Sequence, residues 1–281
     1  MNSRVPETVI LILVFVGIVS GRYVQDVGKF SSSLCGKWRK GRVMGGEQTK
    51  YGEFPWITSI QSTGGQHFCA GFMISSRYVI SAAHCFSKKY NLHVEYQGNN
   101  VNLDSMMVAV NRVKLSNNSD PSKIIAVNKL TLHPNYDDTL NNDIAILELQ
   151  KEIELNDELN PICLPKMENE DEGSGDVTVA GWGYRHCDSV TTSNELHKIT
   201  VQLWTADACK NAYKNENYVF NRKDYVCAGS DGKDISKGDS GGPLMHLNSD
   251  GRMSAIGIVS SGKFMCSDKV PGIYTKVNIT F

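Results

Sequence analysis

Three residues, each set in a distinctive run, are of the types that nucleophilic acyl transfer requires. Gly238-Asp239-Ser240-Gly241-Gly242-Pro243 places a serine among glycines, where backbone N–H groups can converge beside its hydroxyl. Ala82-Ala83-His84-Cys85 and Asp143-Ile144-Ala145-Ile146-Leu147 precede it. His, Asp, Ser is one of the recurrent chain orders for this chemistry. A serine hydroxyl must lose its proton as it attacks a carbonyl. A neutral histidine takes that proton and returns it to the leaving group, while a carboxylate holds the histidine's tautomer and stabilises its cation. Ser240, His84 and Asp143 fit those roles. The N–H groups of Gly238 and Ser240 can form an oxyanion hole for charge that develops only in the transition state. Taken singly, each run has a plainer reading: a Gly-rich surface turn, a strand-end histidine, a turn aspartate bonded to local backbone. Chain order and flanking residues make their joint coincidence a poor explanation.

The elements that must bring these residues together are short strands. Tyr78-Val79-Ile80-Ser81, Met106-Met107-Val108-Ala109-Val110 and Ile144-Ala145-Ile146-Leu147 are apolar, strand-length runs between turns. Val177-Thr178-Val179-Ala180, Ile199-Thr200-Val201-Gln202-Leu203 and Ile256-Gly257-Ile258-Val259 continue the pattern. Thr205 to Tyr213 reads as one short helix with Thr205 as its cap. The class is all-β, and 281 residues suffice for one large β unit or two packed barrels. The acidic, glycine-containing segment 166–176 follows Pro161-Ile162-Cys163-Leu164-Pro165 and divides halves of similar size; the alternative is a long surface loop within one domain.

Composition narrows the setting. Lysine plus arginine total 29 against 30 acids, with no long basic run, so nothing points to a nucleic-acid partner. Val9 to Val19 is apolar but shorter than the about 20 residues of a comfortable membrane span. Ser20-Gly21 offers small residues for cleavage. The reading is a signal peptide over 1–21, with a signal anchor as the alternative. Eight cysteines behind it favour disulfides in an oxidising compartment, and the absence of any C-x-x-C pair argues against zinc.

Over residues 42–281 the chain resembles the trypsin/chymotrypsin-like serine protease family. The resemblance rests on the three runs above together with Gly181-Trp182-Gly183. It implies two perpendicular six-stranded antiparallel barrels with His84, Asp143 and Ser240 in the cleft between them. Arg42-Val43-Met44-Gly45-Gly46 looks like the family's zymogen activation site. Cleavage after Arg42 would free the amino group of Val43, which in the family pairs with the acid before the nucleophile, here Asp239. Residues 22–42 are then an activation peptide and 43–281 the protease domain, with the barrels joined near 163–176. Asp234 matches the floor of the specificity pocket, Gly262 and Gly272 its small walls, and Ser260 the residue that helps hold the triad aspartate. Tyr274 matches a further wall of the pocket region. An aspartate at the bottom of a narrow slot selects arginine or lysine. By the same resemblance Cys69 pairs with Cys85, Cys209 with Cys227, and Cys35 with Cys163; the last bridge would keep a cleaved propeptide attached.

The chain also departs from the family. Ser236 stands where a cysteine is usual, leaving its normal partner, Cys266, over. Cys187 is also left over, and a Cys187–Cys266 bridge is the resulting expectation. Val177 and His246 occupy the positions of another common bridge. Ser261 replaces a tryptophan shelf, and Ile235 replaces a small or hydroxylated residue beside the pocket acid, which should favour arginine over lysine. The chain ends at Phe281, before the helix into which the family continues, so a C-terminal helix is expected to be missing. Asn117 and Asn278 match glycan acceptor patterns. The stretch Glu95 to Asp104 displays no clear calcium ligand set, and neither a metal nor a cofactor is expected.

The resulting expectation is a secreted, extracellular zymogen of a serine endopeptidase that cuts after arginine or lysine. Its partners would be protein or peptide substrates, an activating protease and protein protease inhibitors. No nucleic acid, no membrane after signal removal and a monomeric state are expected. The alternatives are a catalytically weak homologue that binds through the same cleft, and a chymotrypsin-like enzyme, which Asp234 disfavours.

Overall fold

Fifteen strands form among the described residues, several of the longer ones on runs of Val, Ile, Leu and Met. The computed structural model describes residues 34–39, 47–90, 94–97, 100–116, 120–138, 141–165, 175–185, 189–214, 224–230, 235–262 and 270–277. The strands are β1 (Glu47–Gln48), β2 (Ile57–Ser62), β3 (His67–Met73), β4 (Tyr78–Ser81), β5 (Tyr96–Gln97), β6 (Asn100–Val101), β7 (Met106–Val110), β8 (Ile124–Leu132) and β9 (Ala145–Leu149). They continue with β10 (Asp176–Gly181), β11 (His197–Trp204), β12 (Tyr225–Gly229), β13 (Pro243–Leu247), β14 (Met253–Ser261) and β15 (Gly272–Lys276). The expected runs therefore fall on β4, β7, β9, β10, β11 and β14.

Strands β2-β3-β4-β9-β8-β7 close into one antiparallel barrel. Closure removes the open edges that a flat sheet would expose. In the second half β11-β10-β13-β14-β15-β12 follow one another, and the β11–β12 pairing closes a second six-stranded antiparallel ring; β1 adds to β11 at its rim. The two-barrel all-β class read from the sequence is the one observed.

Each barrel is filled by its own inward residues. Ile60, Phe72, Met106, Val108 and Leu147 are sealed in the first, with Trp182, Met245 and Ile258 extending that cluster into the second half. Val179, Val201, Leu244 and Tyr274 fill the second. Val177 is buried there, so an apolar side chain occupies the place of the absent bridge. Helix α1 (Ala206–Ala212) is the single α-helix among the described residues. Thr205 caps it, its side chain accepting from Ala208 N at 3.2 Å, and Cys209–Cys227 fastens it to β12.

Two pairings place the functional runs. In the β4–β9 ladder Ser81 lies opposite Ala145. Two residues beyond Ser81, a 3-10 turn (Ala83–Phe86) carries His84, and two residues before Ala145 sits Asp143, so an antiparallel ladder brings them side by side. The turn 236–242 leads into β13, and it is stitched to β14 by Gly241 N to Val259 O and Val259 N to Gly242 O, each 2.8 Å.

Residues 34–39 lie against both halves. Cys35 is bridged to Cys163, Gly36 N donates to Pro161 O at 2.8 Å, and Met253 N donates to Gly36 O at 3.0 Å. Trp38 stacks on Phe54 at 6.4 Å between ring centres. The signal segment 1–21, Arg42, Val43, Met44, Asn117, Asp234, Cys187, Cys266, Asn278 and the stretch 166–174 lie outside the described residues.

Candidate active site

His84 and Asp143 are joined twice. The Asp143 Oδ2 atom is 2.7 Å from His84 Nδ1, and Asp143 Oδ1 accepts from the His84 backbone N–H at 2.8 Å. With Nδ1–H donating to the carboxylate, Nε2 carries the lone pair and can accept a proton. The Asp143 side chain is wholly buried, whereas His84 is partly open to solvent. A buried carboxylate needs donors. The third is Ser260, from the far end of β14, whose Oγ donates to Asp143 Oδ2 at 2.5 Å. Ser260 thus reaches from the second barrel to a carboxylate of the first.

Ser240 arrives from the second barrel on the 236–242 turn. Its carbonyl accepts from Ala70 N on β3 at 2.8 Å and lies 3.9 Å from Cys85 Sγ, on the residue that follows His84. The Cys69–Cys85 disulfide ties β3 to the turn carrying His84, so one covalent link braces both sides of the contact. Cys69, His84 and Cys85 crowd together, but the two sulfurs are spent on each other and offer no thiolate to a metal.

The turn itself is set by Asp239. Its Oδ1 accepts from Gly183 N at 2.8 Å, and its Oδ2 accepts from Ser236 N and Ser236 Oγ, both at 3.0 Å. The residue keeps some exposed surface, but its carboxyl group is enclosed; burial pushes its pKa up, and the three donors pull it back. This packing accounts for the second glycine of Gly181-Trp182-Gly183. A Cβ on Gly183 would stand 2.2 Å from Ser236 Oγ and 2.3 Å from Asp239 Oδ2. Gly238, next in the turn, has φ of +99°, a conformation that side chains resist.

Sequence reading missed His67. It is buried on β3, where Ser59 Oγ lies 2.8 Å from its Nδ1 and Gly238 O lies 2.9 Å from its Nε2. The carbonyl can only accept, so Nε2 carries the hydrogen and Nδ1 accepts from the serine. Burial brings its pKa down to about 4, leaving the ring neutral near pH 7. A polar histidine two residues before Cys69 in an apolar strand was the only trace in the sequence. Tyr90 was also missed: it meets the His84 ring edge-on at 6.2 Å and donates its hydroxyl to Asp138 O at 2.6 Å.

Two of the residues assigned to a specificity pocket, Gly262 and Gly272, come together with Ile235 beside them. A Cβ placed on Gly262 would lie 3.4 Å from Gly272 Cα and 3.6 Å from Ile235 Cδ1. Ile235 is buried, so an apolar branch faces the two small residues. Ser261 is buried on β14 opposite Ile273, and Tyr274 is wholly buried on β15.

Residues 43–281 match the family model described as Trypsin. Phenoloxidase-activating factor 3 of Holotrichia diomphalia is 34% identical over 276 residues, covering 92% of this chain and 78% of that protein. The trypsin of Phaedon cochleariae is 35% identical over 240 residues, covering 84% of each. The venom peptide isomerase heavy chain of Agelenopsis aperta is 31% identical over 247 residues, covering 84% of this chain and 96% of that protein.

Proposed function

The chain belongs to the trypsin family, and from that premise we propose that it is a secreted serine endopeptidase, made as a zymogen and cutting after arginine or lysine. One observation carries the reading: the unbroken line from Ser260 through Asp143 to His84, beside a glycine turn that presents Ser240. In this mechanism Ser240 Oγ attacks the scissile carbonyl while His84 Nε2 takes its proton. The carbonyl π bond opens to an oxyanion, received by the N–H groups of Gly238 and Ser240. Collapse expels the amine, which takes the proton from His84, and leaves an ester on Ser240. Water activated by the same imidazole hydrolyses that ester. Asp143 holds the tautomer throughout, and Ser260 and the His84 backbone N–H hold Asp143.

Specificity is assigned to Asp234, which by resemblance to the family would face a long side chain admitted past Gly262 and Gly272. A guanidinium can bond a carboxylate with two parallel N–H groups, whereas an ammonium depends on further polar partners. Ile235 offers none, so arginine should be preferred. Activation is assigned to cleavage after Arg42, with the new Val43 ammonium pairing with Asp239. A buried carboxylate pushed toward its neutral form gains from such a cation. The three disulfides among the described residues support an oxidising, extracellular compartment. Protein substrates fit a family whose relatives include a factor named for activating phenoloxidase.

The test is hydrolysis of arginine, lysine and phenylalanine peptide substrates by the purified protein cleaved after Arg42. Arginine should lead and lysine follow. Ser240→Ala should cut turnover at least about 10⁴-fold. A folded, correctly cleaved protein with no Ser240-dependent turnover would overturn the reading.

A further inference from the structure

The family's usual cysteine is absent at position 236, and the serine that replaces it is neither exposed nor idle. Ser236 is buried, at 3% of its full exposure. Its backbone N–H and its hydroxyl both donate to Asp239 Oδ2 at 3.0 Å, supplying two of the three donors that reach this carboxylate among the described residues. The same residue starts the turn, because Asp239 N donates back to Ser236 O at 3.0 Å and Gly242 N donates to Asp239 O at 2.9 Å. Gly238 and Ser240, the two proposed oxyanion donors, flank Asp239 directly. We infer that Ser236 is a positioning residue for the oxyanion turn, its hydroxyl holding the Asp239 carboxylate by a hydrogen bond where relatives would hold the segment by a covalent bridge. The inference rests on the protease reading for its catalytic consequence, but not for the bond itself.

A disulfide and a hydroxyl act differently. A bridge constrains the chain whatever the charge on Asp239, whereas a hydroxyl donor favours the carboxylate anion and becomes dispensable once the acid is protonated. The effect of removing the hydroxyl must therefore depend on pH. Among the described residues, the groups around Asp239 are Gly183 N and Ser236 from their own segments, exposed Lys237 beside it, and His67 one step away through Gly238 O. His67 and Lys237 are common to parent and variant, so the difference between the two proteins isolates the Ser236 hydroxyl.

The experiment has two arms. In the uncleaved chain carrying Ser240→Ala, denaturant stability is followed from pH 8 to pH 4 for the parent, for Ser236→Ala, and for Ser254→Ala. Ser254 is a buried serine whose Oγ accepts from neutral Asn248, so it controls for the loss of any buried hydroxyl. The Ser236→Ala deficit should be largest at pH 8 and shrink as pH falls, while the Ser254→Ala deficit stays flat. In the cleaved enzyme with Ser240 intact, Ser236→Ala should lower kcat about tenfold, the weight of one bond to a charged group, with KM nearly unchanged. A Ser236→Ala deficit that does not vary with pH overturns the inference, as does an unchanged kcat in an active enzyme. If the unmutated enzyme shows no turnover, the protease reading fails and the stability arm still decides the role of Ser236.

Discussion

Asp143 is a wholly buried carboxylate, and its three donors come from two different barrels. The His84 backbone N–H and Nδ1 come from the turn that follows β4 and are fixed with it. The Ser260 hydroxyl crosses from the other barrel and can be removed without disturbing either. Ser260→Ala should leave the fold intact and lower kcat about tenfold, as expected for one lost bond to a buried charge, with little change in KM. Steady-state kinetics on an arginine substrate, with circular dichroism as the check on folding, measures it. A loss as large as that from Ser240→Ala would mean that Ser260 touches the substrate rather than the carboxylate.

At the scale of elements, β3 links the first barrel to the 236–242 turn that carries Gly238 and Ser240. It carries Cys69, bridged to the His84 turn, Ala70, bonded to Ser240 O, and His67, bonded to Gly238 O. His67 makes this strand pH-sensitive. Its folded pKa, about 4, lies below the ordinary 6.5, so the unfolded chain binds the proton more tightly. The stability it confers is complete above about pH 6.5, declines as pH falls toward 4, and amounts to about 3 kcal/mol over that span. Urea titrations from pH 7 to pH 4 should show this decline, and His67→Gln, which keeps a neutral donor and acceptor, should flatten it. Replacing Cys69 and Cys85 together by serine opens a short loop and should cost about 3 kcal/mol. Thermal melts would show that cost, and turnover should fall too, because the same bridge braces His84 against Ser240.

For the molecule as a whole, the two barrels are fastened at more places than the cleft. Glu53, just before β2, forms an ion pair with Lys198 of β11, and both side chains are almost completely buried. Nearby, β1 adds to β11 with Glu47 opposite Lys198 in the ladder, and Thr49 N donates to Leu196 O at 2.9 Å. Removing one member of a buried pair leaves the other's charge uncompensated in the interior. Glu53→Gln should therefore destabilise the protein by about 3 to 5 kcal/mol in chemical denaturation. Lys198→Met combined with Glu53→Gln should recover much of it. A negligible effect of the single change would show that water reaches the pair.

The class of the fold and the strands that carry the candidate site were legible in the chain, because they depend on local pattern. Ser240 among glycines, the β-branched runs from Tyr78 to Val259 and the Thr205 cap each reflect preferences of a few neighbouring residues. The cysteine pairs Cys69–Cys85, Cys209–Cys227 and Cys35–Cys163 came from resemblance, since count and spacing alone do not choose among partners. What the tertiary structure decided is which distant atoms meet. The Ser81–Ala145 register sets His84 beside Asp143, and the approach of Asp239 requires the Gly183 backbone to carry no side chain. Burial turns His67 into a neutral ring, and the loss of a cysteine leaves a hydroxyl donor at Ser236. Such contacts join residues far apart in sequence, and their strength comes from the exclusion of water, which no short stretch of chain can impose by itself.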